Sequence, residues 1–182
     1  MTRELVERAR HGDHDAFSLL VLPEINRLHG LAGLILRDPG RAEDAVQEAL
    51  LKAWRDLPSL RDADRFLAWL RRLVVNACHD EGRRLARRRG EVSFGPQHEQ
   101  PGADAAGDDL SRRDELGRGF QRLSNEERTV ISLSYYLDLS TADASAVLGI
   151  RETTYRSKLH RAIRALRAAL EADARNTEGS AR

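Results

Sequence analysis

Apolar residues recur at helical spacing along most of this chain, and the pattern is absent between residues 90 and 111. Apolar side chains at positions i, i+3, i+4 and i+7 form one stripe along a helix, and such a stripe has to be buried against another element. The clearest stripe consists of Val46, Ala49, Leu50, Ala53, Trp54 and Leu57. Strand signals do not go beyond short apolar runs, so we predict an all-α fold.

The interruption of the pattern divides the chain into two parts. Residues 90–111 are rich in Gly, Pro, Ala and acidic residues and contain no Lys or Arg. Such a composition is typical of a flexible linker. We therefore predict two small helical domains, 1–89 and 112–172, joined by a flexible acidic linker at 90–111 and followed by a polar tail at 173–182. In the first domain we expect helical structure over residues 4 to 36, 41 to 57 and 64 to 89.

Two helix starts in the second domain have the spacing of a capping box, in which a Ser and an acidic residue three positions later satisfy each other's backbone amides. They are Ser124 with Glu127 and Ser140 with Asp143. The second start predicts a short helix over 141–148 that ends at Gly149, a residue suited to the left-handed turn that closes a helix. Another helix begins about three residues later. A helix, a short turn containing Gly and a second helix have helix-turn-helix spacing.

The net charge of +1 hides a segregation of charge along the chain. Six Lys and Arg lie between Arg151 and Arg167, and five Arg lie in RRLARRR at 83–89. On the helix that ends in RRLARRR, one face carries the polar residues Arg72, Asn76, Asp80, Arg83 and Arg87. Cations bind phosphate, and Asn and Arg side chains read base edges, so both helices suit contact with a nucleic acid.

Enzyme chemistry has little support, because no paired-carboxylate, nucleophile or phosphate-loop arrangement stands out in the sequence. The nearest approach to a metal cluster is HGDHD at 11–15, but Gly12 breaks the helix that would align His11 and His14. Cys78 is the one cysteine and has no internal disulfide partner. The apolar runs are far shorter than the roughly 18 residues of a membrane span, and the N-terminus lacks a signal-peptide core. We expect no catalytic site, metal, cofactor or membrane insertion, and a cytoplasmic location.

Three segments, in this order, resemble a known family. GRAEDAVQEALLKAWRDL at 40–57 looks like the polymerase-binding helix of sigma region 2, and RFLAWLRRLVVNACHDEGRRLARRR at 65–89 looks like its promoter-reading helix. The segment 122–170 is similar to sigma region 4. The chain therefore resembles the extracytoplasmic-function (ECF) group of bacterial RNA polymerase sigma factors, and the resemblance covers about three quarters of it.

This resemblance implies a noncatalytic subunit that joins core RNA polymerase, recognises two elements of promoter DNA and nucleates melting. The polymerase-binding surface would include Asp44, Gln47, Glu48 and Arg55. Reading of the minus-ten element, including a base flipped from the nontemplate strand, would fall to the loop at 58–65, with Arg61, and to Asn76 and Asp80. Phosphate would be held by Arg83, Arg84 and Arg87. The unstacking cost of a few kcal/mol can be offset by pocket contacts and by cationic contacts to the backbone.

The same resemblance places region 4 on the minus-thirty-five element. The groove-facing positions of the family correspond to Arg156, Ser157, Lys158, His160 and Arg161. An Arg that makes a paired contact to guanine contributes roughly 1 to 3 kcal/mol of discrimination. The family also leads us to expect an anti-sigma partner and a linker that threads through the polymerase.

Region 4 departs from the common pattern of the family at five positions. Thr141, Ala144 and Ser145 stand where the family usually has Tyr, Ile and Ala. Tyr155 stands where Val is usual, and we expect its ring to refill the volume lost at Ala144. Asp138 replaces a turn glycine, and Asp can accept a left-handed backbone.

Two other functions are compatible with parts of the sequence. A conventional helix-turn-helix regulator would bind duplex DNA alone, usually as a dimer on paired half-sites, but no ligand domain or dimer helix is visible. A helical adaptor without a DNA role would leave the two separated basic faces unexplained, unless its partner were a polyanion.

Overall fold

The computed structural model describes residues 2–91 and 116–180, with side chains described for 2–87 and 116–172. Within these residues all regular structure is helical, and the helices form two domains, which confirms the predicted fold class. The predicted linker lies outside the described residues except for its first two residues, which end a helix, and the side chains of the predicted tail lie outside them as well.

The N-terminal domain has five α-helices. They are α1 (Thr2–Arg10), α2 (His14–Val21), α3 (Ile25–Leu36), α4 (Pro39–Asp56) and α5 (Phe66–Glu91). Two short 3-10 turns, Leu57–Ser59 and Ala63–Arg65, connect α4 to α5. The helical pattern over residues 4 to 36 is thus divided into three helices.

The breaks between these helices have local causes. Gly12 has a φ of +90°, which favours glycine, and the next residue, Asp13, caps α2 by accepting a hydrogen bond from the Ala16 amide at 2.9 Å. Asp38 caps α4 in the same way through the Arg41 amide at 3.0 Å. This backbone hydrogen bond, followed by the hydrogen bond and the charge of the Arg41 side chain, lowers the pKa of Asp38 although partial burial raises it. Both carboxylates therefore stabilise helix N-termini, where negative charge is favourable.

The core of this domain lies between α4 and α5, on the stripes that the sequence predicts. Val46, Ala49, Ala53 and Leu57 of the first stripe are buried, and so are Phe66, Leu70, Leu73, Val74 and Ala77 of the second. Full burial of a large apolar side chain contributes about 1.5 to 3 kcal/mol each. The opposite faces of both helices consequently remain available for other contacts.

The C-terminal domain contains a short helix and the predicted helix-turn-helix. Its helices are α6 (116–121), α7 (Asn125–Ile131), α8 (Thr141–Leu148) and α9 (Glu152–Ser180). Ser124 and Glu127 form the predicted capping box, and Ser140 caps α8 through the Asp143 amide. Gly149 ends α8 with a φ of +66°, as predicted. A π-helical turn at Ser132–Tyr136, which the sequence pattern does not indicate, follows α7 directly.

The two domains are in contact with each other. α3 and α5 of the first domain pack against α7 and α8 of the second. The sequence led us to expect only a tether between them, because apolar periodicity does not show which faces of two helical domains match. In the described part of the chain no single helix has the length and apolarity to cross a membrane; α2 and α3 pass that test only as a pair bent by 59°.

Candidate protein and nucleic-acid interfaces

The outer face of α4 carries a shallow groove of about 490 Å³. It is lined by Asp44, Gln47, Glu48, Leu51, Lys52 and Arg55. All four residues that the sequence assigns to polymerase binding are among them. Leu51 is 73% exposed in the middle of this polar surface. An apolar centre within a polar rim is the arrangement found in many protein–protein interfaces.

The polar face of α5 remains in solvent. Asn76, Arg83 and Arg87 are exposed, and Asp80 is half-buried and forms an ion pair with Arg83. The structure thus brings these four predicted residues onto one surface. Arg84 points toward α4, where its guanidinium lies 3.4 Å from Glu48, and it also lies 3.6 Å from Glu81 of α5 itself. Arg84 therefore connects the predicted DNA-binding helix with the predicted polymerase-binding helix.

Arg61 lies in the connection between the two 3-10 turns and is exposed. The connection is held at both ends by buried Leu60 and Ala63, and Asp62 caps the second turn by accepting a hydrogen bond from the Asp64 amide at 3.1 Å. The α1 helix is tied to this loop by an ion pair between Arg3 and Asp64. The loop is thus anchored, while Arg61 itself projects into solvent.

The exposed face of α9 carries four of the five residues predicted to enter a DNA groove. These four are Arg156, Ser157, His160 and Arg161. The fifth, Lys158, is 25% exposed and forms an ion pair with Glu126 of α7. Hydrogen bonding to Lys158 is the main cause of the lowered pKa of Glu126. Four of the five side chains are therefore exposed to solvent, and the charge of the fifth, Lys158, is paired within the domain.

Tyr155 is fully buried beneath this face. Its hydroxyl donates a hydrogen bond to the Val130 carbonyl at 2.8 Å and lies 2.7 Å from the Ser134 hydroxyl. Because the single hydroxyl proton of Tyr155 is directed to Val130, Ser134 is the donor in the second contact. Burial is the main cause that raises the pKa of Tyr155. Tyr155 thus links α9 to the end of α7, where the α-helix is followed by the π turn.

Two of the four other departures, Ala144 and Asp138, have clear structural positions. Ala144 is fully buried and lies, like Tyr155, in the core, so both positions are packing positions. Asp138 has a φ of +53°, which confirms that it takes the left-handed conformation at this turn. The filling of the Ala144 volume by Tyr155 stays a prediction.

The HGDHD segment has structural contacts of its own. The His11 ring bonds the Glu7 carbonyl, Asp13 caps α2 and pairs with Arg8, and His14 stacks on Trp54 with ring centroids 4.1 Å apart. Across residues 2–91 and 116–180, no group of three His, Cys, Asp or Glu side chains is placed to hold a metal ion. Cys78 is buried, and desolvation raises the pKa of its thiol to about 12.

Sequence reasoning missed two residues of these surfaces, Leu51 and Glu126, and the contact of a third, Arg72. Leu51 was detectable, since it is an apolar residue on the polar side of the α4 stripe. Glu126 was not detectable, because its partner Lys158 is far away in sequence. Arg72 was placed on the polar face of α5, but its position beside the turn at Gly149 was not predictable for the same reason.

Comparison with known proteins identifies the family. Residues 20–88 match sigma-70 region 2, and residues 113–166 match sigma-70 region 4. The chain is 43% identical over 137 residues to the ECF RNA polymerase sigma factor SigL of Mycobacterium tuberculosis, an alignment that covers 74% of this chain and 77% of SigL. The chain belongs to the ECF RNA polymerase sigma factors. It is therefore a factor that directs RNA polymerase to promoters, and a stand-alone regulator is not favoured.

Solved structures share the fold of this sigma factor. CnrH in complex with the cytosolic domain of CnrY is 30% identical, with a TM-score of 0.67 and coverage of 94% of this chain and 98% of that chain. The sigma factor RpoE in complex with the anti-sigma factor NepR, from Bartonella quintana, is 27% identical, with a TM-score of 0.64 and coverage of 88% of this chain and 98% of that chain. The region 2 match contains α4 and α5 up to residue 88, and the region 4 match contains α7, α8 and the first half of α9.

Proposed function

We propose that this sigma factor binds core RNA polymerase through the groove on α4. The observation that supports this site is the combination of an exposed Leu51 with acidic and basic side chains on both sides of it. In protein interfaces the buried apolar centre contributes affinity, and the charged rim contributes specificity. Asp44, Gln47, Glu48 and Arg55 form the polar contacts, and Leu51 is the apolar anchor.

The minus-ten element is contacted by α5 and the loop before it. Asn76 has a free amide that can pair with a base edge, and the exposed guanidiniums at the C-terminal half of α5 face solvent where a phosphate backbone could lie. Asp80 shares its charge with Arg83, so this part of the surface remains cationic. In this proposal Arg61, Asn76 and Asp80 read bases, while Arg83, Arg84 and Arg87 hold phosphates.

The minus-thirty-five element is contacted by the N-terminal half of α9. The side chains that enter the major groove are Arg156, Ser157, His160 and Arg161. Arg156 forms an ion pair with Glu152, one turn earlier on α9, at 3.2 Å. Lys158 supplies a phosphate contact when its pair with Glu126 opens.

Further assignments follow from membership of the family. We assign residues 1–89 to region 2, 90–111 to the linker, 112–172 to region 4 and 173–182 to a polar tail. The factor is noncatalytic, needs no cofactor and acts in the cytoplasm, where the polymerase is. An anti-sigma factor is a further partner, since the solved complexes of CnrH and RpoE contain CnrY and NepR respectively.

Transcription by core polymerase on a promoter library tests the function. The wild-type chain is expected to support initiation on a subset of promoters that share two elements. Binding of the chain to DNA alone, without promoter-dependent initiation, would favour the stand-alone regulator instead.

The α4 surface is tested with Asp44→Lys, which reverses one charge of the groove. We expect weaker binding to core polymerase and an unchanged melting temperature. The matched control is Glu4→Lys, the same charge reversal at an exposed position of α1 outside the groove. Equal affinities of the two variants would remove Asp44 from the contact surface.

A further inference from the structure

The first helix of the chain packs against the loop that the proposed function assigns to base reading. α1 contacts both 3-10 turns of that loop, one on each side of Arg61, and it also packs against α2. The match to sigma-70 region 2 begins at residue 20, so α1 lies outside the matched segment. A helix from outside the region 2 match therefore borders one of the proposed DNA contacts of region 2.

One face of α1 is covered along its whole length. Arg3, Val6 and Arg10 share this face, because they are spaced at i, i+3 and i+7. Val6 is fully buried, and the side chain of Arg10 is 17% exposed. At the start of the same face the Arg3 guanidinium forms an ion pair with Asp64 at 3.0 Å. Arg3 is thus a direct link between α1 and the loop.

The carboxylate of Asp64 belongs to a small closed turn next to Arg61. Asp62 accepts a hydrogen bond from the Asp64 amide at 3.1 Å and forms an ion pair with Arg65 at 3.3 Å. The Arg65 amide donates to the Asp62 carbonyl at 3.1 Å, which closes the backbone. These contacts hold the turn together from within, whereas the pair with Arg3 holds it from outside. Any rotation of the turn would move Arg61, which directly precedes Asp62.

Base reading depends on the exact position of such a turn. A guanidinium presents its donors in a rigid fork, and hydrogen bonds to a base edge form only within a narrow range of distance and angle. A flipped base is read by contacts of this kind. Sites carried by loops are precise only when a rigid neighbouring element supports them. In this domain α1 is such an element for the loop.

The other end of α1 is fixed to α2 and not to the loop. Arg8 forms an ion pair at 2.7 Å with Asp13, the residue that caps α2. Arg3 and Arg8 are therefore two exposed arginines of one helix, each paired with an aspartate of a different element. A charge reversal at each of them compares the loss of the loop contact with the loss of an ion pair elsewhere on α1.

We infer that α1 positions the base-reading loop, with Arg3 as the positioning residue that acts through Asp64, and that the base preference at the minus-ten element depends on this helix. The inference rests on the proposed function for the reading of bases by the loop. Arg3 itself contacts no base; it fixes the orientation of the turn that follows Arg61.

Hydrogen exchange of the free chain measures whether α1 holds the loop. Backbone hydrogen bonds close the loop at 57–60 and at 62–65, so a peptide that covers 57–66 reports on it. Arg3→Glu places two carboxylates opposite each other. Because both partners of this pair are exposed, we expect exchange of the peptide to be about two- to fivefold faster than in the wild type. The matched control, Arg8→Glu, is expected to leave this exchange unchanged.

Transcription by the complete holoenzyme measures the base preference. The templates are promoters that differ by single bases of the minus-ten element. A ratio between two promoters does not respond to a lower folded fraction or to weaker polymerase binding, since both reduce initiation from all promoters alike. We expect the ratio at the base read by the loop to fall about two- to fivefold in Arg3→Glu and to stay unchanged in Arg8→Glu. The double variant Arg3→Glu, Asp64→Arg rebuilds the ion pair in the opposite sense and is expected to restore both the exchange rate and the ratio.

The outcomes separate this inference from the proposed function. Loop exchange in Arg3→Glu equal to that of the wild type, equal effects of Arg3→Glu and Arg8→Glu, or a double variant that restores neither measurement would each overturn the inference. If the wild-type holoenzyme shows no base preference in the minus-ten element, the proposed function fails instead. The exchange rates then decide by themselves whether α1 holds the loop.

Discussion

Replacement of Tyr155 by phenylalanine isolates the role of one buried hydroxyl. The ring of Tyr155 is fully buried, and its hydroxyl connects the Val130 carbonyl and the Ser134 hydroxyl at 2.8 and 2.7 Å. Tyr155→Phe keeps the ring and removes both hydrogen bonds. The change therefore tests the polar link between α9 and the π turn without opening a large cavity.

The expected cost can be worked from these contacts. A buried hydrogen-bonding group that loses its partner costs about 1 to 3 kcal/mol, and here a carbonyl and a hydroxyl each lose one contact. Partial relaxation of Ser134, which is only half-buried, reduces the sum. We expect a loss of about 2 kcal/mol in the free energy of unfolding, which for a chain of this size lowers the melting temperature by about 4 to 8 °C.

Tyr155→Val removes most of the ring as well and is expected to cost more. Truncation of a buried aromatic ring leaves a cavity, and such changes cost about 3 to 5 kcal/mol when the ring is replaced by a methyl group. The order of stability should therefore be wild type, Tyr155→Phe, Tyr155→Val. An unchanged melting temperature in Tyr155→Val would show that Tyr155 does not refill the volume lost at Ala144.

Thermal unfolding of the full chain, followed by circular dichroism and calorimetry, measures these changes. Tyr135→Phe is the matched control, because Tyr135 belongs to the same π turn but is 68% exposed; it should shift the unfolding free energy by no more than about 0.5 kcal/mol. A double-mutant cycle with Ser134→Ala should give a non-zero coupling energy with Tyr155→Phe. Equal melting temperatures for Tyr155→Phe and Tyr135→Phe would refute the argument that the buried hydroxyl stabilises the domain.

Three further changes test other parts of the structure. Asp38→Ala should cost about 0.5 to 2 kcal/mol by loss of the α4 cap, whereas Asp38→Asn should retain most of it. Because the folded-state pKa of Asp38 is lowered, its charge-dependent stabilisation is fully present above the ordinary value of 3.8 and is lost as the pH falls below 3.8 through the folded-state pKa. The free energies of unfolding of wild type and Asp38→Asn, measured with urea, should therefore converge in acid. The thiol pKa of Cys78 is raised from 9.0 to about 12, so its contribution is complete below pH 9 and is lost as the pH rises toward 12; the stability gap between wild type and Cys78→Ala should change over that interval and stay constant below it. Glu126→Gln should free Lys158 for a phosphate contact, so that the salt dependence of binding to a minus-thirty-five duplex becomes steeper by up to about 0.9 in log–log slope; an unchanged slope would place Lys158 outside the DNA contact.

Local signals were sufficient where one short segment contains both partners of an interaction. The capping box at Ser124, the cap at Ser140 and the end of α8 at Gly149 all follow from residues within a few positions of each other. The buried stripes of α4 and α5 were equally predictable, because helical period and apolarity are properties of the segment itself.

The candidate surfaces were predictable only in part, for a related reason. Exposed positions such as Asn76 and Arg156 follow from the face of the helix on which they lie. The pairing of Lys158 with Glu126 could not be predicted, because it joins residues 32 positions apart on helices whose relative orientation the sequence does not contain. The π turn also depends on such a partner, since the hydroxyl that bonds the Val130 carbonyl comes from Tyr155.

The sequence alone therefore determined the helices, the two domains and the residue types that face solvent, since these depend on period, caps and charge. Only the tertiary structure decided that region 4 packs against region 2. That contact depends on the shape of the surface at Gly30 and Gly82, where the absence of a side chain admits Tyr136 and Asn125. The sequence pattern around a glycine inside a helix does not show whether a side chain of another helix packs against it or whether it faces open space. Gly30 and Gly33 of α3 illustrate the two cases.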